Sequence, residues 1–172
     1  TDMRLRHARI DTELGELTLA AAGEAIVGLY FPDPWYGSAN GDFGPRVEAR
    51  DDELLARVAA QLGEYLAGER RSFELPLAGR GDAFERRVWE LIDAIPYGAT
   101  TTYGELAAEL GDRTEARRVG QAVGHNPICI LVPCHRVVGA DGSLTGYAGG
   151  LDRKRALLEL ELPAAAERGQ LF

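Results

Sequence analysis

Cys134, His135 and Arg136 follow one another directly between two apolar stretches, in the run ILVPCHRVV. A thiol acts as a nucleophile only as the thiolate, and a neighbouring base or cation favours that form. A cysteine that ends an apolar run is most often inert core. The imidazole beside it turns the reading toward covalent chemistry. Geometry raises an objection, because neighbouring residues of an extended chain point to opposite faces. Either the backbone turns at Cys134 or a water bridges the pair. A third group should then orient His135, as in other nucleophile–base systems. The segment 151–162 carries two candidates, Glu159 and Glu161, and its composition does not choose between them.

Other chemistries find little support. The two cysteines, Cys129 and Cys134, are too few for a disulfide framework, and free thiols fit a reducing, cytoplasmic setting. With three scattered histidines (His7, His125 and His135) there is no structural zinc pattern, and no metal or organic cofactor is expected. No apolar run is long enough to span a bilayer, and the charged start of the chain lacks the apolar stretch of a signal peptide. The net charge of −8 argues at face value against nucleic acid. It is unevenly spread, however. Residues 111–155 hold seven basic and four acidic groups, a local +3 around the cysteine, whereas residues 1–110 hold 11 and 20. A phosphate senses that local sign within a screening length of about 8–10 Å.

The elements that must position these groups fall into two parts, and the expected class is α+β. Residues 1–80 read as a small α/β domain with an antiparallel sheet. Strands are expected over 4–10, 15–21 and 25–31, a long loop over 32–51, a helix over 52–67 and an extended link over 72–78. Residues 81–172 read as a mainly helical domain with a short active-site strand and turn. A helix over 82–95 ends at Pro96. Thr102 can cap a helix to Leu110, with Glu105 three residues on, and Asp112 can cap a second, with Glu115 three on. This pair forms a helix-turn-helix pattern. Its second helix is rich in small residues, Ala116, Gly120, Ala122 and Gly124, and carries Arg117 and Arg118 near its start. Such a helix can enter a DNA groove or pack closely on a core. Residues 128–132 read as a buried strand ended by Pro133, and 151–162 as a last helix.

The motif PCHRVV resembles the active-site motif of the O6-alkylguanine-DNA alkyltransferases, the methylated-DNA–protein-cysteine methyltransferases. The likeness extends through FERRVWELIDAIPYGATTTYGELAAELG, ARRVGQAVGHNP and ILVPCHRVVGADGSLTGYAGGLDRKRALLELE, covering residues 82–162 closely and the rest loosely. The layout is most similar to the bacterial constitutive form, without an attached regulator domain. The resemblance implies direct-reversal repair, in which an alkyl group passes from O6 of a flipped guanine, or O4 of thymine, to the protein's own cysteine in one irreversible turnover. It implies double-stranded DNA carrying O6-alkylguanine as the partner of a monomer, with cooperative loading on DNA left open, and no membrane.

The resemblance also assigns residues. Cys134 matches the nucleophile, His135 the residue that deprotonates it through a water, and Glu161 the orienting glutamate. Asn126 matches the hinge between recognition helix and active-site segment. Arg117 matches the finger that fills the space of the extruded base. Tyr103 matches the tyrosine that helps rotate the nucleotide and hydrogen-bonds the base. Thr102, Ala116, Arg118, Gly120 and Gln121 complete the DNA-facing set. The carbonyls of Cys134 and Val137 would accept the guanine amino group, while Tyr147, Ala148 and Gly149 would wall the pocket. Two positions depart from relatives: Cys129, where a proline can stand, and Thr145, where some have a smaller residue. Thr145 is expected to narrow the pocket against bulky adducts. Two other readings remain: a lesion-binding protein that recruits repair factors without chemistry, and a cysteine hydrolase using Cys134 and His135.

Overall fold

The computed structural model describes residues 4–32 and 43–167. Half of the expected loop over 32–51, residues 33–42, and the tail beyond residue 167 lie outside them. The chain divides into two compact units, Thr1–Arg80 and Gly81–Phe172.

The first unit is built on a three-stranded antiparallel meander, β1 (Leu5–Thr12), β2 (Gly15–Ala22) and β3 (Ala25–Tyr30), in the order β1-β2-β3. Two-residue turns join the strands, with Thr12 opposite Gly15 and Ala22 opposite Ala25. Leu17, Leu19, Ile26 and Leu29 are fully buried, and α1 (Glu53–Leu66) packs against the sheet. The helix buries Leu54, Leu55, Val58, Leu62 and Tyr65, the stripe that helical spacing predicts. Asp52 caps it by accepting from the Leu55 amide and receives Nε of Arg6 at 2.6 Å, so one carboxylate ties β1 to the helix start. The link over 72–78 is extended and touches β3 through a single bridge, Ile26 to Leu77.

The second unit begins with α2 (Ala83–Asp93), opened by a capping box between Asp82 and Glu85. Trp89 joins Val88 and Ile92 on the buried face, and its indole N–H donates to Ala122 O at 2.8 Å. Next come β4 (Thr101–Thr102) and α3 (Tyr103–Glu109), with Thr102 accepting from the Glu105 amide. The second helix of the pair starts later than expected. Asp112 accepts from the Thr114 amide, not from Glu115, so the chain first makes a 3-10 turn, Arg113–Glu115, and α4 spans Ala116–Gly124.

Two further expectations are corrected. Residues 128–132 are not a strand. The Leu131 amide donates to Cys129 O and the Val132 amide to Ile128 O, which folds the segment back as a buried loop. Its centre, Ile130, has φ +71°, a left-handed conformation costly for a β-branched residue, on the order of 1–3 kcal/mol. The strand in this region is β5 (Val137–Val138), two residues paired in parallel with β4. The last helix also breaks: α5 spans Leu151–Leu160 and α6 Leu162–Glu167, with Glu161 at the joint.

Candidate active site

The folded-back loop delivers Cys134 to its place. Asn126, just beyond α4, is 1% exposed. Its side-chain amide donates to Val132 O at 2.9 Å, and its Oδ1 accepts from the Ile128 amide at 3.0 Å. One side chain thus closes both ends of the loop and couples α4 to the cysteine. After Pro133 the backbone makes a 3-10 turn, Cys134–Arg136. The backbone therefore turns at the thiol, and Cys134 and His135 are not on opposite faces of a strand.

His135 is fully buried, with Nε2 2.8 Å from Oε2 of Glu161, itself 1% exposed. Glu159 is exposed. Arg136 grips the same carboxylate with Nε at 2.9 Å from Oε1 and Nη2 at 3.0 Å from Oε2, and its Nη1 donates to Ile95 O. The Gly98 amide donates to Oε1 at 3.1 Å. Burial opposes the charge on Glu161, yet the hydrogen bonds and charges of His135 and Arg136 outweigh it and hold the carboxyl down to about 2. Burial pushes His135 below its ordinary value, against the pull of Glu161. At neutral pH the pair is therefore a neutral imidazole on a carboxylate, with Glu161 fixing which nitrogen carries the proton.

Cys134 is 4% exposed and held below the ordinary thiol range. The hydrogen bond from Cys129 is the largest cause. Burial opposes it, and the Asn126 side chain and the Lys154 charge add to it. Around the turn, the hydroxyl of Tyr103 lies 2.9 Å from Oγ1 of Thr145. Tyr147 and Gly149 are buried and Ala148 half-buried, while Arg153 donates to Gly149 O at 3.0 Å. On α4, Arg117, Arg118 and Gln121 are exposed, and Ala116 and Gly120 half-buried. The Arg118 guanidinium sits 3.8 Å over the Phe84 ring. A Cβ on Gly120 would meet the Tyr103 ring at 3.7 Å, ordinary contact distance.

Known proteins resemble this chain over nearly its whole length. Residues 5–78 match the family model described as 6-O-methylguanine DNA methyltransferase, ribonuclease-like domain, and residues 83–162 the model described as its DNA binding domain. A methylated-DNA–protein-cysteine methyltransferase of Mycobacterium bovis is 44% identical over 98% of this chain and 99% of its own length. One from Methanosarcina acetivorans is 40% identical over 90% of this chain and 97% of its own. This chain belongs to the 6-O-methylguanine DNA methyltransferase family. A crystal structure of the Mycobacterium tuberculosis family member OGT in complex with DNA has a TM-score of 0.83 to it at 44% identity, covering 94% of this chain and 95% of that one.

Within this methyltransferase fold, two site residues escape sequence reasoning. Lys154 is fully buried, and its Nζ donates to Val137 O and Thr145 O, each at 2.7 Å. It cross-braces the cysteine turn and the pocket loop. Burial pushes its ammonium down to about 8, and the nearby Cys134 pulls it up. The available signal is its spacing, because Lys154 shares the inward stripe of Leu157, Leu158 and Glu161. Arg136 is visible in the motif, but its double grip on Glu161 is not. The two carbonyls expected to read guanine already have internal donors, the Val137 amide on Cys134 O and Lys154 on Val137 O. Each carbonyl oxygen keeps a second lone pair for a ligand.

Proposed function

We propose that this protein repairs alkylated double-stranded DNA by moving the alkyl group from O6 of guanine to Sγ of Cys134, once per molecule. The observation that carries this reading is a buried thiol, held toward its anion, one residue from a buried imidazole–carboxylate pair. Its relatives are named for methylated DNA and a protein cysteine, which supports the same reaction here. A lesion-binding role without chemistry is not favoured, because it gives the activated thiol nothing to do. A hydrolase would leave the helix-turn-helix unused.

Each residue has a task in this scheme. The lesion lies within a stacked duplex, so the base is turned out, which is cheaper for a poorly paired base. Arg117 fills the vacated stack from the exposed start of α4, with Thr102, Ala116, Arg118, Gly120 and Gln121 along the duplex. The Cys134 proton passes through a water to Nδ1 of His135, because Nε2 is committed to Glu161. Glu161 stabilises the imidazolium that forms. The thiolate attacks the alkyl carbon, the C–S bond forms, and the C–O6 bond breaks. Tyr103 hydrogen-bonds the departing base, which takes up one proton to leave as ordinary guanine. Val137, Tyr147, Ala148, Gly149, Cys129 and Thr145 shape the pocket. The thioether product is stable, so the cycle ends there. Two free thiols suit a reducing, cytoplasmic compartment.

The test is intact mass after incubation with a duplex containing one O6-methylguanine, followed by peptide mapping. One added methyl on the Cys134 peptide, never more than one per molecule, is the expected result. Tight binding to that duplex with no mass change would overturn transfer and favour lesion recognition.

A further inference from the structure

Arg113 takes no part in the scheme above, yet its guanidinium is placed beside two residues that do. Nη1 of Arg113 lies 3.4 Å from the point that a Cβ on Gly104 would occupy, and Oγ1 of Thr102 lies 3.9 Å from the same point. Gly104 therefore leaves open a seat that a larger residue would fill, one position from Tyr103. The acids flanking Arg113 in sequence are engaged elsewhere. Asp112 accepts from the amide and the hydroxyl of Thr114, and Glu115 lies 3.9 Å from Arg118. Glu105, next to Gly104, accepts from the Thr101 hydroxyl. Among the described residues Arg113 makes no hydrogen bond or ion pair. The Thr102 oxygen accepts from the Glu105 amide, which leaves its O–H to donate.

We propose that Arg113 and the Thr102 hydroxyl form a phosphate clamp over Gly104, which holds the DNA strand carrying the extruded nucleotide. This inference rests on the reading above, in which Tyr103 hydrogen-bonds the flipped base. Donors beside Tyr103 meet the backbone of that same strand. The planar guanidinium fork suits a phosphate, which can accept two parallel N–H bonds. Gly104 matters because it lets the phosphate approach the helix backbone closely. Arg117 and Arg113 then divide the task. Arg117 replaces the base in the stack, and Arg113 holds the strand from which the base came. Phosphate contacts fix register and carry no sequence information, so the clamp serves a lesion in any flanking sequence.

The experiment measures binding of the full chain to an O6-methylguanine duplex and to the same lesion in a single strand, each across a salt series. Cys134→Ser in every protein keeps transfer from intervening. Arg113→Gln is expected to weaken both complexes about tenfold at low salt. It should also flatten the plot of log affinity against log salt, by about 0.9 for the duplex and about 0.7 for the single strand. Arg113→Lys keeps the charge and is expected to restore both slopes. Gly104→Leu fills the seat at unchanged charge and is expected to behave like Arg113→Gln. Arg50→Gln, at an exposed arginine of the first unit, makes the same change in net charge and is expected to keep the parental slopes. Arg113 is exposed, so the urea midpoint of Arg113→Gln should not move. Parental slopes in Arg113→Gln, or parental binding by Gly104→Leu, would overturn the proposal. An equal drop in Arg50→Gln would do the same. So would a loss confined to the duplex, which would move Arg113 to the opposite strand. Failure of the parent, with Cys134 intact, to take up the methyl group would instead overturn the transfer reading.

Discussion

Nε2 of His135 and Oε2 of Glu161 lie 2.8 Å apart with both side chains buried, and the same carboxylate is gripped by Arg136. The glutamate therefore does two things at once: it orients the imidazole and neutralises a buried guanidinium. Glu161→Gln keeps the shape but removes the charge and turns one acceptor into a donor facing other donors. Leaving a buried cation unpaired costs about 3–5 kcal/mol. The urea midpoint should drop accordingly. Single-turnover methyl transfer should slow about a hundredfold or more as the base loses its orientation. A variant of parental stability and rate would show that Glu161 is a bystander.

The same pair predicts how stability depends on pH. His135 has a folded-state value below the ordinary 6.5, so below that pH the unfolded chain binds the extra proton and stability falls. Glu161 is held near 2 against an ordinary 4.5, so its contribution is complete above 4.5 and is lost as pH falls toward 2. Urea midpoints should decline in two stages, first below about 6.5 and again below about 4.5. His135→Gln should remove the first stage. A parent midpoint that stays flat from neutral pH down to the lower boundary would contradict this.

Asn126→Ala would leave the Ile128 amide without its partner and the Val132 carbonyl with the Cys134 amide as its donor. The expected cost is about 1–3 kcal/mol, read as a lower urea midpoint. The larger loss should be in transfer rate, because Asn126 is the side chain that ties both ends of the loop and so keeps the thiol in register. Asn126→Asp keeps one acceptor and loses the donor, so it should recover the bond from Ile128 alone. Equal rates for the parent and Asn126→Ala would disconnect the loop from the chemistry.

That loop also marks where the sequence stops being legible. The stripes of α1 and α2 and the three strands are readable because apolar spacing and burial say the same thing. Five apolar residues at 128–132 carry no such period. The strand reading loses to Asn126, whose two hydrogen bonds close a turn that local preference alone resists. Asp112 misleads in a milder way, since an acid three residues on suggests a capping box and Thr114 takes the bond instead. The site is legible as chemistry in Cys134-His135, and Glu161 stands out only once the family resemblance is added to it. Lys154 stays hidden because a lysine in a charged helix reads as solvated, and only tertiary packing puts Nζ on two carbonyls.

Arg117 and Arg118 are neighbours with different prospects. Arg118 is already held over Phe84 and lies 3.9 Å from Glu115, whereas Arg117 projects from the exposed face of α4. Arg117→Ala should slow repair of a paired O6-methylguanine in duplex DNA at least about tenfold, because unstacking costs a few kcal/mol and nothing replaces the base. It should leave transfer from the same lesion in a single strand nearly unchanged. Arg118→Ala should weaken duplex binding and reduce its salt dependence, with a smaller effect on rate. Equal losses on duplex and single strand for Arg117→Ala would argue against a role in base extrusion.

In the proposed reaction the alkyl group would sit beside Thr145, which is bonded to Tyr103. Its Oγ1 meets the Tyr103 hydroxyl at 2.9 Å, and its carbonyl is tied to Lys154, so neither end of the residue can easily give way. A methyl group needs little room, and a benzyl group would have to displace the threonine side chain or break that bond. The parent should therefore transfer methyl much faster than benzyl from matched duplexes. Thr145→Gly opens the space and frees the tyrosine hydroxyl, and should raise the benzyl rate about tenfold or more while changing the methyl rate little, since misfit of one or two methylenes is worth about 1–3 kcal/mol. Equal methyl and benzyl rates in the parent would mean that the wall yields, and that the Tyr103–Thr145 bond does not bound the pocket.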